Sequence, residues 1–483
     1  MKRLQNFLLA LACLAFSFNG HAANTNSLVW HKAADRVDAD IRGEALWPLL
    51  EQIAVGADWK IFVEPGAERT VSTKFKSLPS GDALKMLLGD LNFALVPQTN
   101  GPSLLYVFRT TLKNATRQVV AIKPAKRVAN QLLVRVKPGT NIDALAKLIG
   151  AKIIGRMDKL GVYLLQFGDA TTTDAALAQL KNNSDVLDVD YNYYFDPLPS
   201  AEPISASSMP VNSGPVSLKL NPPTSGDPCS PIIGLIDTGI QSQSLGNLSQ
   251  SILPSISAVG DTGSGSSPQS LGDPLALFTP KQTTMAGGLV FPTHGTSMAY
   301  TILNAVSQAS GGSSSVRILP VDVYGTGEST TSWNVAMGVK LAVDNGATVL
   351  NLSLGGSGDN SILNGVIQQA IANGVVVFGA AGNTPVNTPT YPAAYPGVYD
   401  VTALGAPGQL ASYANFSPQV DLALPGSSVV YLGSQAYFVQ GTSPATAYAS
   451  GVAAGTKSVN CLTWAEILAA MQKKFPVPAV PSK

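Results

Sequence analysis

The chain has 483 residues, 45% of them hydrophobic and 13% charged, which leaves room for about two to four domains with packed cores. Lys and Arg total 31 against 30 Asp and Glu, a formal net charge of +1. Disorder throughout is excluded, and no basic nucleic-acid footprint or acidic tail dominates.

Residues 1–22 open with Lys2 and Arg3, run apolar from Phe7 to Phe18 and end in Gly20, His21 and Ala22. A positive start, a short apolar core and small residues before a cut make a secretory signal, with cleavage expected after Ala22. The run is too short to span a bilayer comfortably. No later segment reaches 18 uninterrupted apolar residues, so the mature protein is expected to be exported and soluble, periplasmic or secreted. Cys13 leaves with the signal, and Cys229 with Cys461 remains as an even pair suited to a disulfide in an oxidising compartment. The alternative is two buried thiols; a tetrahedral metal site would need more ligands.

Residues 23–112 alternate short strands with amphipathic helices and read as a small α+β domain. Leu46, Leu49, Leu50 and Ile53 fall at helical spacing, as do Leu84, Leu87, Leu88 and Leu91, while Lys60–Val63 and Leu104–Phe108 read as strands. Residues 128–196 give the order βαββαβ, a ferredoxin-like pattern, from "QLLVRVKPG" to "VLDVDYNYY". Residues 197–230 are rich in Pro and Ser and read as an extended, poorly packed linker. From 231 to 475 buried-strand runs alternate with helices: Ile232–Ile236, Val316–Val323, Thr348–Leu352 and Val375–Phe378. The expected fold class there is α/β, a doubly wound and mainly parallel sheet with helices on both faces, preceded by the two small α+β domains. Gly260–Ser270 reads as a surface loop.

Titratable residues are scarce from Leu220 onward, and His294 is the one histidine there. Acid-base chemistry near neutral pH falls to that imidazole. Asp237 ends the strand "PIIGLIDTGI", and the carboxyl ends of parallel strands are where catalytic groups collect. His294 precedes a helical stretch in "THGTSMAY"; Ser443 precedes Pro444, at an expected first helical position, in "GTSPATAYASGVAAG". Taken singly, each reads as a turn or cap residue. Together they supply a nucleophile, a base to take its proton and a carboxylate to hold the base.

The strings DTG, HGTSMA and GTSPATA, in this order, resemble the subtilase family of serine proteases, and "VRVKPGT" with "NNSDVLDVDYNYYF" resembles that family's inhibitory prodomain. The resemblance implies a subtilisin-like catalytic domain, a serine endopeptidase acting on polypeptides, and a prodomain that inhibits in cis and is removed by self-cleavage. It implies Asn383, after "VVVFGAAG", as the oxyanion donor. Ser353, Leu354 and Gly355 of "NLSLGG" would lie beside the primary specificity pocket, with Ala380, Ala381 and Gly382 as its opposite wall. "DIRGEALWPLLEQIAVGADWKIFVEPG" resembles the secretin and TonB short N-terminal domain, which implies an envelope protein partner. Pro444, Ala447 and Tyr300 depart from the subtilase pattern, and Tyr300 is expected to crowd the helix near His294. No cofactor is required by the reaction; calcium sites occur in the family, but Asp261, Asp273 and Asp359 are scattered and no site is assigned. Two alternatives stay open: a catalytically silent relative, and an envelope scaffold protein that binds polypeptides. Self-cleavage is expected between Ile204 and Leu220, after Val186–Phe195 has led the chain into the cleft as an added strand.

Overall fold

The structure, a computed structural model, describes residues 26–67, 69–98, 103–119, 125–195, 199, 201–203, 215–222, 227–259, 291–405, 408–417 and 419–478. The expected signal segment, the expected loop at Gly260–Ser270, and Asp261 and Asp273 lie outside them. No helix among the described residues is long and apolar enough to cross a membrane. Contacts divide the chain into two units, with the boundary after Ile122.

The first unit holds β1 (Ser27–His31), β2 (Arg36–Ala45), α1 (Leu46–Ala57), β3 (Lys60–Val63), β4 (Thr70–Pro79), α2 (Ser80–Leu88), β5 (Asn92–Val96), β6 (Leu104–Phe108) and β7 (Arg117–Val119). They form two sheets, ordered β1-β2-β4 and β5-β6-β3-β7. The helical spacing read in the sequence is the buried stripe: Leu46, Leu49, Leu50 and Ile53 of α1 pack with Leu84, Leu87 and Leu88 of α2 in one core. This unit extends past the expected boundary at residue 112. The reason is β7, which pairs antiparallel with β3 and buries Val119 in that core.

In the second unit, β8 (Arg127–Val136), α3 (Ile142–Leu148), β9 (Lys152–Met157), β10 (Val162–Gln166), α4 (Ala170–Lys181) and β11 (Val186–Tyr193) reproduce the expected βαββαβ order. Their antiparallel sheet is ordered β11-β8-β10-β9. Alternation along β8 sends Leu132, Val134 and Val136 to one face, with α3 and α4, and Leu133 to the other. Leu133, Met157, Val162 and Leu164 join the core beneath two helices of the following domain.

That domain carries β12 (Glu202–Pro203), β13 (Lys219–Leu220), β14 (Ile232–Asp237), β15 (Ile256–Ser257), α5 (His294–Ser310), β16 (Ser313–Ser314), β17 (Arg317–Asp322), α6 (Ser332–Asp344), β18 (Val349–Leu352), α7 (Ser361–Ala372), β19 (Val376–Ala380), β20 (Tyr399–Leu404), β21 (Leu422–Pro425), β22 (Ser427–Leu432), β23 (Gln435–Gln440), α8 (Thr442–Asn460) and α9 (Trp464–Lys474). Seven strands form a parallel sheet ordered β15-β17-β14-β18-β19-β20-β21. Residues of α5, α8 and α9 share one core and residues of α6 and α7 the other. The chain leaves β14 for β17 on one side and reaches β18 on the other, which opens a crevice at the carboxyl ends of these strands.

The expected linker is not poorly packed along its whole length. Ala201 and Leu218 are buried in the α5 and α8 core, β12 pairs with β23, and β13 pairs with β16. Apolar side chains spaced among the prolines hold these pieces down. Cys229 and Cys461 lie within bonding distance, their Cα atoms 5.0 Å apart, so the end of α8 is tied to the approach to β14.

Candidate active site

Asp237 ends β14, is fully buried and accepts the Thr238 N–H at 2.7 Å. His294 opens α5, whose cap Thr293 accepts the Thr296 N–H at 3.1 Å and donates to the Gly239 carbonyl at 2.7 Å. The loop after the aspartate strand and the start of the histidine helix are thereby fastened together. His294 Nδ1 stands 2.9 Å from each carboxylate oxygen of Asp237. With Nδ1 so engaged, the ring is oriented and Nε2 becomes the free nitrogen. That atom is buried and has no partner among the described residues.

Ser443 comes level with His294 through helix packing. A Cβ on Gly451 would stand 2.4 Å from the Ile302 carbonyl, and one on Gly455 would stand 3.0 Å from that of Val306. Gly451 follows Ser443, and Ile302 follows His294, by eight positions; Gly455 and Val306 do so by twelve. The helices therefore run in the same direction in close contact and their first turns meet. Tyr300 does not crowd this contact. It is buried against β22, its ring 6.1 Å from that of Tyr431 and its hydroxyl accepting the Val216 N–H at 3.1 Å.

The Ser443 hydroxyl donates to the Ser353 carbonyl at 3.0 Å, and the Ser353 hydroxyl donates to the Ser443 carbonyl at 3.0 Å. Behind them Asn351 donates to Ser353 at 2.8 Å and accepts from Ser450 at 3.0 Å, a buried polar ladder that fixes the start of α8. Pro444 is the third residue of α8, not the first, because the helix begins at Thr442. Gly441, the N-cap, has no side chain to cap the helix, and of the first-turn amides the Ser443 N–H is left for an incoming acceptor, since Thr442 is taken by Asn383 and Pro444 has none. Exposed Asn383 accepts the Thr442 N–H at 2.8 Å through Oδ1, which leaves its amide N–H groups free to donate nearby.

The remaining expected residues sort into walls and supports. Ser353 and Leu354 are buried, and Leu354 packs into the α6 and α7 core. A Cβ on Gly355 would stand 2.5 Å from Thr390 Cγ2 and 3.7 Å from the Ala380 carbonyl, and one on Gly382 would stand 2.8 Å from Thr390 Oγ1. Thr390 therefore joins the two walls, with Ala380 and Ala381 buried behind them. Thr390 carried no sequence signal, because its place depends on a loop closing over distant strands.

The tail of the ferredoxin-like domain runs into this crevice. Tyr194 bridges antiparallel to Thr331, the Phe195 N–H donates to the Thr330 carbonyl at 2.9 Å, and Phe195 is buried. On the other side, a Cβ on Gly356 would stand 3.4 Å from the Tyr194 carbonyl. Just upstream, Asn192 accepts the N–H of Trp333, the second residue of α6, at 3.1 Å, and Asp190 accepts that of Ser361, the first residue of α7, at 3.1 Å. Burial pushes the Asp190 carboxyl above its usual range, against the hydrogen bonds it accepts. No group of three or more His, Cys, Asp or Glu among the described residues could hold a metal ion.

Residues 230–475 match the subtilase family, and residues 113–192 match the fervidolysin N-terminal prodomain. The chain belongs to the subtilase family. Subtilase relatives include the thermostable alkaline protease of Halalkalibacterium halodurans, 36% identical over 169 residues, which are 34% of this chain and 47% of that protein. Subtilisin Savinase of Lederbergia lenta is 33% identical over 207 residues, 42% of this chain and 76% of its own. Thermitase of Thermoactinomyces vulgaris is 34% identical over 178 residues, 36% of this chain and 64% of its own. The chain spans about half the length of the first two curated relatives it matches, 47% and 54%. Among solved structures, fervidolysin from Fervidobacterium pennivorans, a keratinolytic enzyme related to subtilisin, aligns with a TM-score of 0.51 at 18% identity, covering 72% of this chain and 57% of that one. This likeness bears on the subtilase fold alone.

Proposed function

We propose that the protein is an exported serine endopeptidase whose prodomain covers its own cleft. The observation that carries this reading is the buried, unpartnered Nε2 of His294, level with Ser443, on a ring whose Nδ1 meets both oxygens of Asp237. In the proposed reaction the Ser443 hydroxyl leaves the Ser353 carbonyl and turns to Nε2. His294 takes its proton as Oγ attacks the scissile carbonyl. The oxyanion receives N–H donors from Asn383 and the Ser443 backbone. His294, held by Asp237, passes the proton to the leaving amine, and water then releases the acyl group by the same route.

Polypeptide substrates would pair with Thr330–Thr331, as Tyr194 and Phe195 do, and pass close to Gly356. Small residues at Gly355, Ala380, Ala381 and Gly382 favour a sizeable uncharged side chain before the scissile bond. Export is supported by the opening segment and by the Cys229–Cys461 pair. The first unit is proposed to be a secretin/TonB-type interaction module that meets an envelope protein.

Self-cleavage belongs to the same proposal. Leu218 is buried and Lys219–Leu220 is paired, so within the expected 204–220 region the cut falls ahead of Val216. Fluorophosphonate labelling and mass spectrometry of wild type beside Ser443→Ala test the reading. A labelled, shortened wild type beside an unlabelled, full-length variant is expected. Absence of label in a folded wild type would favour the silent relative; identical cutting of both would end the self-cleavage reading.

A further inference from the structure

Asp237 is not the lone carboxylate at the carboxyl ends of the central strands. Asp322 ends β17, the neighbour of β14, and stands in register opposite Asp237. In-register neighbours of a parallel sheet point their side chains to the same face. Both are buried, Asp322 at 8% exposure and Asp237 at 0%. Two buried carboxylates on adjacent strands are costly, and such an arrangement calls for a reason.

The partners of Asp322 connect it to the reactive groups. Its Oδ1 accepts the N–H groups of Tyr324 and Gly325, both at 2.9 Å, and it also takes the Gly239 N–H. The Gly239 carbonyl receives Thr293, the cap that precedes His294. Tyr324 and Gly325 begin the loop that ends at Thr330 and Thr331, the edge against which Tyr194 and Phe195 lie. Asp322 therefore fastens the aspartate loop, the histidine helix and the substrate edge to one carboxylate.

We infer that Asp322 is a positioning residue for catalysis, whose negative charge, set beside Asp237, favours the imidazolium form of His294 and so sets where the acid limb of activity falls. This rests on His294 acting as the base. Burial, chiefly, lifts the Asp322 carboxyl above its usual range; the Asp237 charge adds to this and the three N–H donors oppose it. Elements packed against β17 bring little other charge: β15 places Ser257 opposite Asp322, and Lys340 and Asp344 of α6 pair with each other. Asp237 is the charge acting on Asp322 from β14.

Asp322→Asn keeps an acceptor oxygen for the amides while removing the charge. The full-length Ser443→Ala protein with ring-labelled histidine reads the His294 titration by NMR, with and without Asp322→Asn. The midpoint is expected to move to lower pH by several tenths of a unit to about one unit, the scale for removing one nearby negative charge. In active protein the acid limb of kcat/KM should move likewise, so that the ratio of variant to wild type changes with pH. Asp322→Glu restores the charge and should return the midpoint toward wild type even where turnover falls. An unmoved midpoint in a folded Asp322→Asn protein, or a failure of Glu to restore it, overturns the inference. A kcat/KM lowered by one factor at every pH does the same. If wild type hydrolyses no peptide, the protease reading fails, while the NMR titration still decides the charge coupling.

Discussion

The two faces of the central sheet treat their helix N-termini differently. On one face α6 and α7 begin at the caps Thr331 and Asn360, and the prodomain strand adds Asn192 and Asp190 against amides of their first turns. On the other face α5 is capped by Thr293, but α8 begins at Gly441 with no side-chain cap. Donors left open at the end of a helix are normally a cost. Here the doubly capped ends meet the prodomain strand and the end without a side-chain N-cap carries Ser443, so the same backbone feature docks β11 on one face and, in the proposed reaction, serves an oxyanion on the other.

The sharpest way to break that contrast is at the open end. Ser443→Ala or His294→Ala should lower kcat/KM by orders of magnitude while circular dichroism stays unchanged. Asn383→Ala should lower kcat by about 10²- to 10³-fold, the scale for removing one oxyanion donor. An effect on KM alone would reassign Asn383 to the pocket. The far end of α8 is tied down covalently, and Cys461→Ser should cost about 5 to 6 kcal/mol in chemical denaturation by the chain-entropy estimate, as the paired residues are 232 apart.

A smaller effect is expected at the opposite end of the strands. Asp400, near the start of β20, is buried beside Asp421, with one oxygen unpartnered. Burial first, and then the Asp421 charge, push its carboxyl up to about 7. Because the folded value exceeds the unfolded one, the protonated acid's contribution is full below about pH 4 and is lost as pH rises through about 7. Asp400→Asn should therefore be more stable than wild type by about 2 to 4 kcal/mol at pH 8 and nearly equal to it at pH 4, read from paired melts. A gap that does not grow with pH would show that Asp400 is not protonated in the fold.

The covered face should respond least. Removing a helix cap costs about 1 kcal/mol, so Asp190→Ala or Asn192→Ala should each quicken fluorophosphonate labelling of Ser443 in the full chain by roughly five- to tenfold. The double variant should approach the product of the two. Unchanged labelling would mean that the β11 contacts do not hold the cover in place.

The amino-acid sequence by itself determined the βαββαβ order and the main parallel strands, and it singled out Asp237, His294 and Ser443 as the proposed trio. Each of these rests on local patterns: apolar period, turn residues, and short strings around Asp237, His294 and Ser443. Tertiary structure alone decided the rest. The Ser353 carbonyl that holds the Ser443 hydroxyl lies 90 positions upstream of it, and Asn192 meets Trp333 across 141 positions. Asp322 gained its meaning from strand order, which sets β17 beside β14. Thr390 and the packed pieces of the Pro-rich segment depended on loop closure. A polar side chain or an open amide acquires a role from what the fold brings within about 3 Å of it, and that distance has no period along the chain.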